Sequence, residues 1–193
     1  MKSISLVVGV AALCLIGSAA SASTLVSSTT NLPADMFSAP TSQTGGTYVG
    51  VTGSVGGQYA SPFGDNTSPY NAVQGGSATY NLAGNTLSLV FGSPDDYNTI
   101  SFLNAAGVAF DSFTPGTGAG ASLDRGSSYF LTIRADSNFS AVQFSSNGAA
   151  LEFSNVAVSS VPLPASAPMF GAALLALAGL GYGVQRKKVA TTA

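Results

Sequence analysis

Tyr129-Phe-Leu-Thr-Ile-Arg134 has the two-residue period of a β-strand with one buried face. Its first, third and fifth residues are apolar and lie on one side of such a strand. Thr86-Leu-Ser-Leu-Val-Phe91 repeats the pattern, with Leu87, Leu89 and Phe91 on one side. A strand that is apolar on one face needs a second layer to cover it. The two stretches therefore predict packed β-sheets.

Outward from these stretches, short apolar or β-branched runs alternate with clusters of Gly, Pro, Asn, Asp and Ser over residues 46–160. No twelve-residue window has a helical period. We predict an antiparallel β-sandwich of jelly-roll or Greek-key type, because the cysteine and tryptophan landmarks of an immunoglobulin domain are absent. Eight strands are expected, at residues 47–51, 78–82, 86–91, 99–104, 108–113, 129–134, 141–145 and 150–158.

The turns and the segment before the first strand complete this prediction. Asn147-Gly148 is the strongest hairpin signal, so the last two strands are expected to pair with each other. Asn104-Ala-Ala-Gly107 and Asp136-Ser-Asn138 are predicted as further turns. Residues 23–45 are rich in Ser and Thr and show no clear period, which predicts an irregular arm or a ragged first strand.

The composition of the middle of the chain excludes several classes of function. Residues 23–160 contain eight acidic residues and two basic ones, Arg125 and Arg134, a formal charge of −6 that would repel nucleic acid. The chain has no histidine, and its single cysteine is Cys14. A Ser-His-Asp enzyme is therefore impossible, and we predict a protein that is not an enzyme. A deep cleft with two carboxylates would reopen the enzyme hypothesis.

The first 22 residues have the layout of a secretory signal peptide. Lys2 precedes an apolar run of 13 residues, which is too short to span a bilayer. Ala20-Ser-Ala22 is typical of a cleavage site, so signal peptidase is expected to cut after Ala22. No lipobox precedes Cys14, which argues against a lipid anchor.

The opposite end predicts one transmembrane helix. Residues 165–184 carry no charge, and as a helix they would extend about 30 Å, the thickness of the hydrocarbon core. The basic tail 185–193 follows, with Arg186, Lys187 and Lys188 as the stop-transfer residues. Positive residues favour the cytoplasmic side, so residues 23–164 are expected to lie outside the cytoplasm.

The segment Val161-Pro162-Leu163-Pro164-Ala165 precedes this span. Together, the proline motif, the apolar span and the basic tail of residues 161–193 resemble a PEP-CTERM sorting signal, with Leu163 at the place of the glutamate that gives the family its name. The resemblance implies export, anchoring in the inner membrane by the C-terminal helix, and processing by an exosortase-like membrane protease. It also implies a final place at the cell surface or outside the cell, in exopolysaccharide or biofilm. A sortase signal and a stiff linker are the alternatives.

A second hypothesis is a calcium-assisted carbohydrate-binding module of adhesin type. Asp95, Asp96 and Asn98 offer the oxygen ligands that calcium prefers, although a solvated turn would also explain them. No other cofactor is expected. Tyrosines on one exposed face could stack on sugar rings, or could be core and strand-surface residues. The candidates are Tyr48, Tyr59, Tyr70, Tyr80, Tyr97 and Tyr129.

Overall fold

The computed structural model describes residues 23–118, 120, 122–148 and 150–160. The predicted signal peptide, the sorting motif and the predicted C-terminal helix lie outside these residues. The described part is all-β and contains no helix, so none there is available to cross a membrane. It has nine strands: β1 (Thr24–Thr29), β2 (Ser42–Val51), β3 (Tyr70–Tyr80), β4 (Gly84–Gly92), β5 (Asn98–Leu103), β6 (Ala109–Phe113), β7 (Tyr129–Phe139), β8 (Ala141–Ser146) and β9 (Leu151–Ser159).

All strand pairs are antiparallel and belong to one sheet, in the order β1-β7-β4-β9-β3-β8-β5-β6, with β2 also paired to β3. The long strand β3 divides this sheet. Its first half, residues 71–73, pairs with β9, and its second half, residues 76–80, pairs with β8. Gly75 lies between the two halves with φ of 68°, a conformation that favours glycine. This change of partner lets the sheet curl.

The curled sheet encloses one main core. Phe144 of β8 and Phe153 of β9 stack with ring centroids 4.1 Å apart and an interplanar angle of 12°. Both strands pair with the edge of β3 that is opposite β2, β9 along its first half and β8 along its second, so the stack joins two strands that do not pair with each other. Tyr80 meets both rings edge-on, at 5.7 and 6.2 Å. The alternating residues Leu87, Leu89, Phe91, Leu131 and Ile133 fill the same core, as their period predicts.

Asp111 joins the two ends of the strand order. This β6 residue is 8% exposed, and its carboxylate accepts hydrogen bonds from the backbone N–H groups of Ser23 (2.9 Å) and Asp136 (3.2 Å). Ser23 immediately precedes β1, and Asp136 lies on β7. The hydroxyl of Ser23 also donates to the carbonyl of Ser112 at 2.7 Å. Side-chain and backbone contacts thus connect β6 with the opposite edge of the sheet.

The structure confirms the all-β class, and each of the eight predicted strands overlaps an observed one, but there is a ninth, β1, and β3 begins at Tyr70, eight residues before its predicted start. The structure also corrects two turns. The last two strands do not pair with each other: β8 pairs with β5 and the second half of β3, and β9 pairs with β4 and the first half of β3. Asp136-Ser-Asn138 is not a turn: β7 continues to Phe139, which is buried in the core together with Ala135. The arm is not irregular throughout, since β1 pairs with β7 and β2 begins at Ser42. The turn at Asn104 is confirmed, and its side chain accepts hydrogen bonds from two backbone N–H groups.

Asn155 forms a bulge in β9 that fastens the arm to the sheet. Its φ is 54°, and the register between β4 and β9 shifts at this point. The buried side chain accepts a hydrogen bond from the N–H of Met36 at 2.7 Å and donates one to the carbonyl of Ala34 at 2.8 Å. The neighbouring Ser154 hydroxyl donates to the carboxylate of Asp35 at 3.1 Å. The bulge thus serves as the attachment point for residues 34–36.

Two substitutions separate the roles of the Asn155 side chain and backbone. Asn155→Gly should lower the free energy of unfolding by about 2 kcal/mol, because two hydrogen bonds are lost at about 1 kcal/mol each. Asn155→Ala should lower it by about 3 kcal/mol, because a Cβ in the left-handed region adds about 1 kcal/mol. Urea unfolding of both variants measures the difference. An alanine variant as stable as the glycine variant would contradict this account of the bulge.

Candidate functional site

Two loops border an open-sided cavity of about 300 Å³ at one end of the sheet. The first loop comprises residues 54–60, between β2 and β3, and the second comprises residues 93–97, between β4 and β5. The volume of the cavity is at the lower end of the range for small-molecule sites. The lining consists of residues 54–60, Ser93, Asp95, Tyr97, Ala150 and Glu152.

The first loop is a small hairpin with a tyrosine at its base. Val55 and Tyr59 exchange backbone hydrogen bonds of 2.9 and 3.1 Å, and the turn between them contains Gly57 with φ of 77°. The Tyr59 ring packs against Tyr48 at 5.2 Å and against Tyr70 at 6.1 Å between centroids. These aromatic contacts hold the loop against β2 and β3.

The second loop is fixed from beneath by Asn98. This residue is fully buried, and its side-chain amide donates to the carbonyl of Ser93 at 3.2 Å. Ser93 has φ of 48°, an uncommon value for a residue with a Cβ. The Tyr97 ring lies against Gly148, where a Cβ would come within 2.7 Å of it. Gly148, the second residue of the predicted hairpin signal, therefore leaves room for the Tyr97 ring.

Glu152 is the most unusual group in the cavity. It is 3% exposed, and its Oε1 accepts a hydrogen bond from the N–H of Ala60 at 2.8 Å. Its Oε2 is buried and accepts no hydrogen bond of normal geometry from the described residues, although the nearby Ser93 side chain favours the charged form. Burial raises the pKa of Glu152 to about 7, and the negative charge of Asp95 acts in the same direction. The hydrogen bond from Ala60 opposes the rise but does not cancel it.

Asp95 and Tyr97 form a hydrogen-bonded pair in the cavity. The Tyr97 hydroxyl donates to Oδ2 of Asp95 at 2.7 Å. Burial raises the pKa of Tyr97 to about 12, and the contact with Asp95 contributes in the same direction. The cavity therefore combines a largely apolar lining with the two carboxyl groups of Asp95 and Glu152 and the rings of Tyr59 and Tyr97. A complementary ligand would bring hydroxyl or ammonium donors.

The three predicted calcium ligands have different surroundings. Asp95 lines the cavity, and Asp96 forms an exposed ion pair with Arg125 at 2.7 Å. Asn98 is buried, and its Oδ1 has no hydrogen-bond partner in the part of the chain that the structure describes. Over the described ranges, no group of three or more Asp, Glu, His or Cys side chains is placed to hold a metal ion. The calcium site stays a prediction, with Asp95 as the predicted ligand that lines the cavity.

The tyrosines divide between core and cavity. Tyr70 and Tyr80 are buried, and burial raises the pKa of both phenols. Only Tyr59 and Tyr97 line the cavity, so the six do not form one exposed aromatic face. Glu152 was not among the site residues predicted from the sequence. Its signal was a carboxylate within the apolar strand around Leu151 and Phe153.

The strand register gives the position of the cavity on the molecule. Glu152 on β9 is opposite Gly92 on β4, whereas Ser159 at the end of β9 is opposite Thr86. Seven residues of extended chain separate Glu152 from Ser159, roughly 20 Å. The cavity is therefore at the end of the sheet opposite the one where β9 finishes.

Comparison of the chain with protein-family models, with curated proteins and with solved structures found no match.

Proposed function

We propose that the protein is an exported surface or matrix protein without enzymatic activity. Residues 1–22 direct export, the curled sheet forms a jelly-roll-like sandwich outside the cytoplasm, and the C-terminal helix anchors the precursor in the inner membrane. An exosortase-like protease then processes the segment Val161–Ala165. The product reaches the cell surface or the extracellular polysaccharide.

The observation that carries this proposal is that the start of β1 and the end of β9 lie at the same end of the sheet. Thr24 is in register with Arg134, Arg134 with Thr86, and Thr86 with Ser159. The first and last residues of the sheet thus lie in one row, three strand spacings or about 14 Å apart along the sheet. Two hydrophobic segments attached at these points can enter the same membrane without a long linker. The cavity then faces away from that membrane.

The orientation can be tested with engineered cysteines, because Cys14 is lost with the signal peptide. Ser160→Cys and Gln58→Cys each place one thiol, at the end of β9 and on the cavity loop, respectively. The chain that has lost residues 1–22 but keeps its C-terminal anchor is labelled with a fluorophore and reconstituted in vesicles that contain nitroxide lipids. We expect strong quenching at position 160 and little at position 58, which lies roughly 20 Å farther from the membrane. Equal quenching at both sites would contradict the proposed orientation.

Carbohydrate binding at the cavity is the second candidate function. It is favoured by the combination of two aromatic rings, Tyr59 and Tyr97, with the carboxyl groups of Asp95 and Glu152. Aromatic faces pack against sugar rings, and carboxyl groups accept hydrogen bonds from sugar hydroxyls. Two carboxyl groups in one cavity are also a feature of glycosidases, so sugar release must be measured beside binding. Binding of an oligosaccharide without its hydrolysis is the outcome expected here.

Calcium dependence is tested by two neighbouring substitutions. If Asp95 holds calcium at the cavity, a calcium concentration 100-fold above Kd should stabilise the protein by about 2.7 kcal/mol. Asp95→Asn should remove this effect, whereas Asp96→Asn should retain it, because Asp96 is paired with Arg125 at the surface. Thermal melting with calcium and with a chelator measures both. Equal melting temperatures in the unsubstituted protein would contradict a calcium site.

A further inference from the structure

Ser23, the residue before β1, is held in a socket formed by Asp111 and Ser112 of β6. It is 6% exposed, its backbone nitrogen lies 2.9 Å from Oδ1 of Asp111, and its hydroxyl donates to the carbonyl of Ser112. Chain segments that lead into a first strand are usually exposed and loosely held. The nitrogen of Ser23 is the atom that cleavage after Ala22 would convert into the N-terminus.

The carboxylate of Asp111 in this socket has no cationic partner among the described residues. Asp111 is 8% exposed and accepts only from neutral backbone N–H groups, those of Ser23, Ser112 and Asp136. Within the described residues the only ion pair joins Arg125 and Asp96, so no cationic side chain compensates Asp111 there. A buried carboxylate is best stabilised by a charged donor.

We infer that Asp111 is the binding site for the α-ammonium group of the mature chain, formed at Ser23 when the signal peptide is removed. The inference rests on the proposed export and cleavage. Hydrolysis consumes one water: the Ala22 carbonyl leaves with the signal peptide as a carboxylate, and the nitrogen of Ser23 takes up protons to become an ammonium group. The neutral N–H···carboxylate contact thereby becomes an ion pair.

The position of the socket connects processing with closure of the fold. Ser23 immediately precedes β1 at the end of the sheet from which both chain ends emerge, and Asp111 lies on β6 at the other end of the strand order. Docking of the ammonium group therefore tightens the contact between the two edges of the curled sheet. The precursor has only the weaker amide contact there, so removal of the signal peptide stabilises the exported domain.

The test combines a shifted N-terminus with Asp111→Asn. One alanine inserted between Ala22 and Ser23 moves the ammonium group by one residue, about 3.8 Å between Cα atoms. We expect this insertion to lower Tm of the full mature chain in detergent by about 5 °C with Asp111 present. In the Asp111→Asn background the same insertion should have almost no effect, because the two changes remove one interaction. Equal losses in both backgrounds would overturn the inference.

A titration of the unsubstituted mature chain avoids any dependence on folding of the variant. An α-amino group paired with a buried carboxylate should titrate above about 9 by NMR, against an ordinary pKa of about 7.7–8.0. Its stabilisation is complete below the ordinary pKa and is lost as pH rises through the raised one. The other charged residues beside the socket are Arg134, in register with Thr24, and Asp136, both exposed. An ordinary α-amino pKa would overturn the inference.

Intact mass separates failure of this inference from failure of the export proposal. A purified chain that still carries residues 1–22 contradicts cleavage itself, and with it both proposals. A chain that begins at Ser23 but shows neither the coupling nor the raised α-amino pKa contradicts docking at Asp111 alone.

Discussion

Glu152→Gln is expected to raise the free energy of unfolding at pH 8.5 by about 3 kcal/mol, an unusual gain for a single substitution. Burial raises the pKa of Glu152 from its ordinary value of 4.5 to about 7. Each unit of difference corresponds to about 1.4 kcal/mol. Glutamine keeps the shape and the acceptor for the Ala60 N–H but removes the buried charge.

The pH dependence has a definite direction. Between about pH 4.5 and 7 the folded protein binds the proton of Glu152 more tightly than the unfolded chain does. Stability therefore falls as pH rises through this window, and the full loss is present above about pH 7. Urea unfolding at pH 5, 7 and 8.5, in metal-free buffer, should show this fall in the unsubstituted protein and little of it in Glu152→Gln.

Asp136→Asn is the matched control, because it removes one negative charge from an exposed side chain on β7. It should change the free energy of unfolding by less than about 0.5 kcal/mol. If Glu152→Gln proves as neutral as Asp136→Asn at pH 8.5, the carboxylate of Glu152 carries no burial penalty. The cavity would then lack the feature that distinguishes it.

Phe144→Ala is the second substitution with a large expected effect. It should lower the free energy of unfolding by about 3–5 kcal/mol, because a fully buried ring is removed and a void remains. The ring belongs to β8 but stacks on Phe153 of β9 across the fold. Its loss should therefore weaken the contact between the two sides of the curled sheet.

A double-mutant cycle with Phe153→Ala isolates that contact. The combined loss should be smaller than the sum of the two single losses by about 1 kcal/mol, since each single change already breaks the stack. Val108→Ala, at a residue 58% exposed, should have an effect below about 0.5 kcal/mol. Strict additivity of Phe144→Ala and Phe153→Ala would contradict the stacked geometry.

The alternation of apolar residues predicts the strands well because each strand buries one face. Leu87, Leu89 and Phe91 show this: all three lie in the core. The pairing of strands was not predictable in the same way. Asn147-Gly148 encodes a change of direction, but which strand lies beside β8 is decided by long-range contacts, and β3 takes that place.

The site was predictable only in part. Asp95 and Tyr97 belong to a loop whose composition suggested a binding role, and both line the cavity. Glu152 lies 57 positions away along the chain and joins them only because β9 pairs with β4 where Glu152 faces Gly92. Its raised pKa is a property of burial, which a strand pattern does not quantify.

The central claim, export followed by processing at both ends, is tested most directly by the intact mass of the protein from its native host. The unsubstituted protein is compared with a double variant carrying Pro162→Ala and Pro164→Ala. We predict that the unsubstituted protein begins at Ser23 and has lost the residues beyond about Pro164, whereas the double variant begins at Ser23 and keeps its tail. Retention of Ala193 in both proteins would contradict processing at the proline motif and leave the C-terminal segment as an anchor alone.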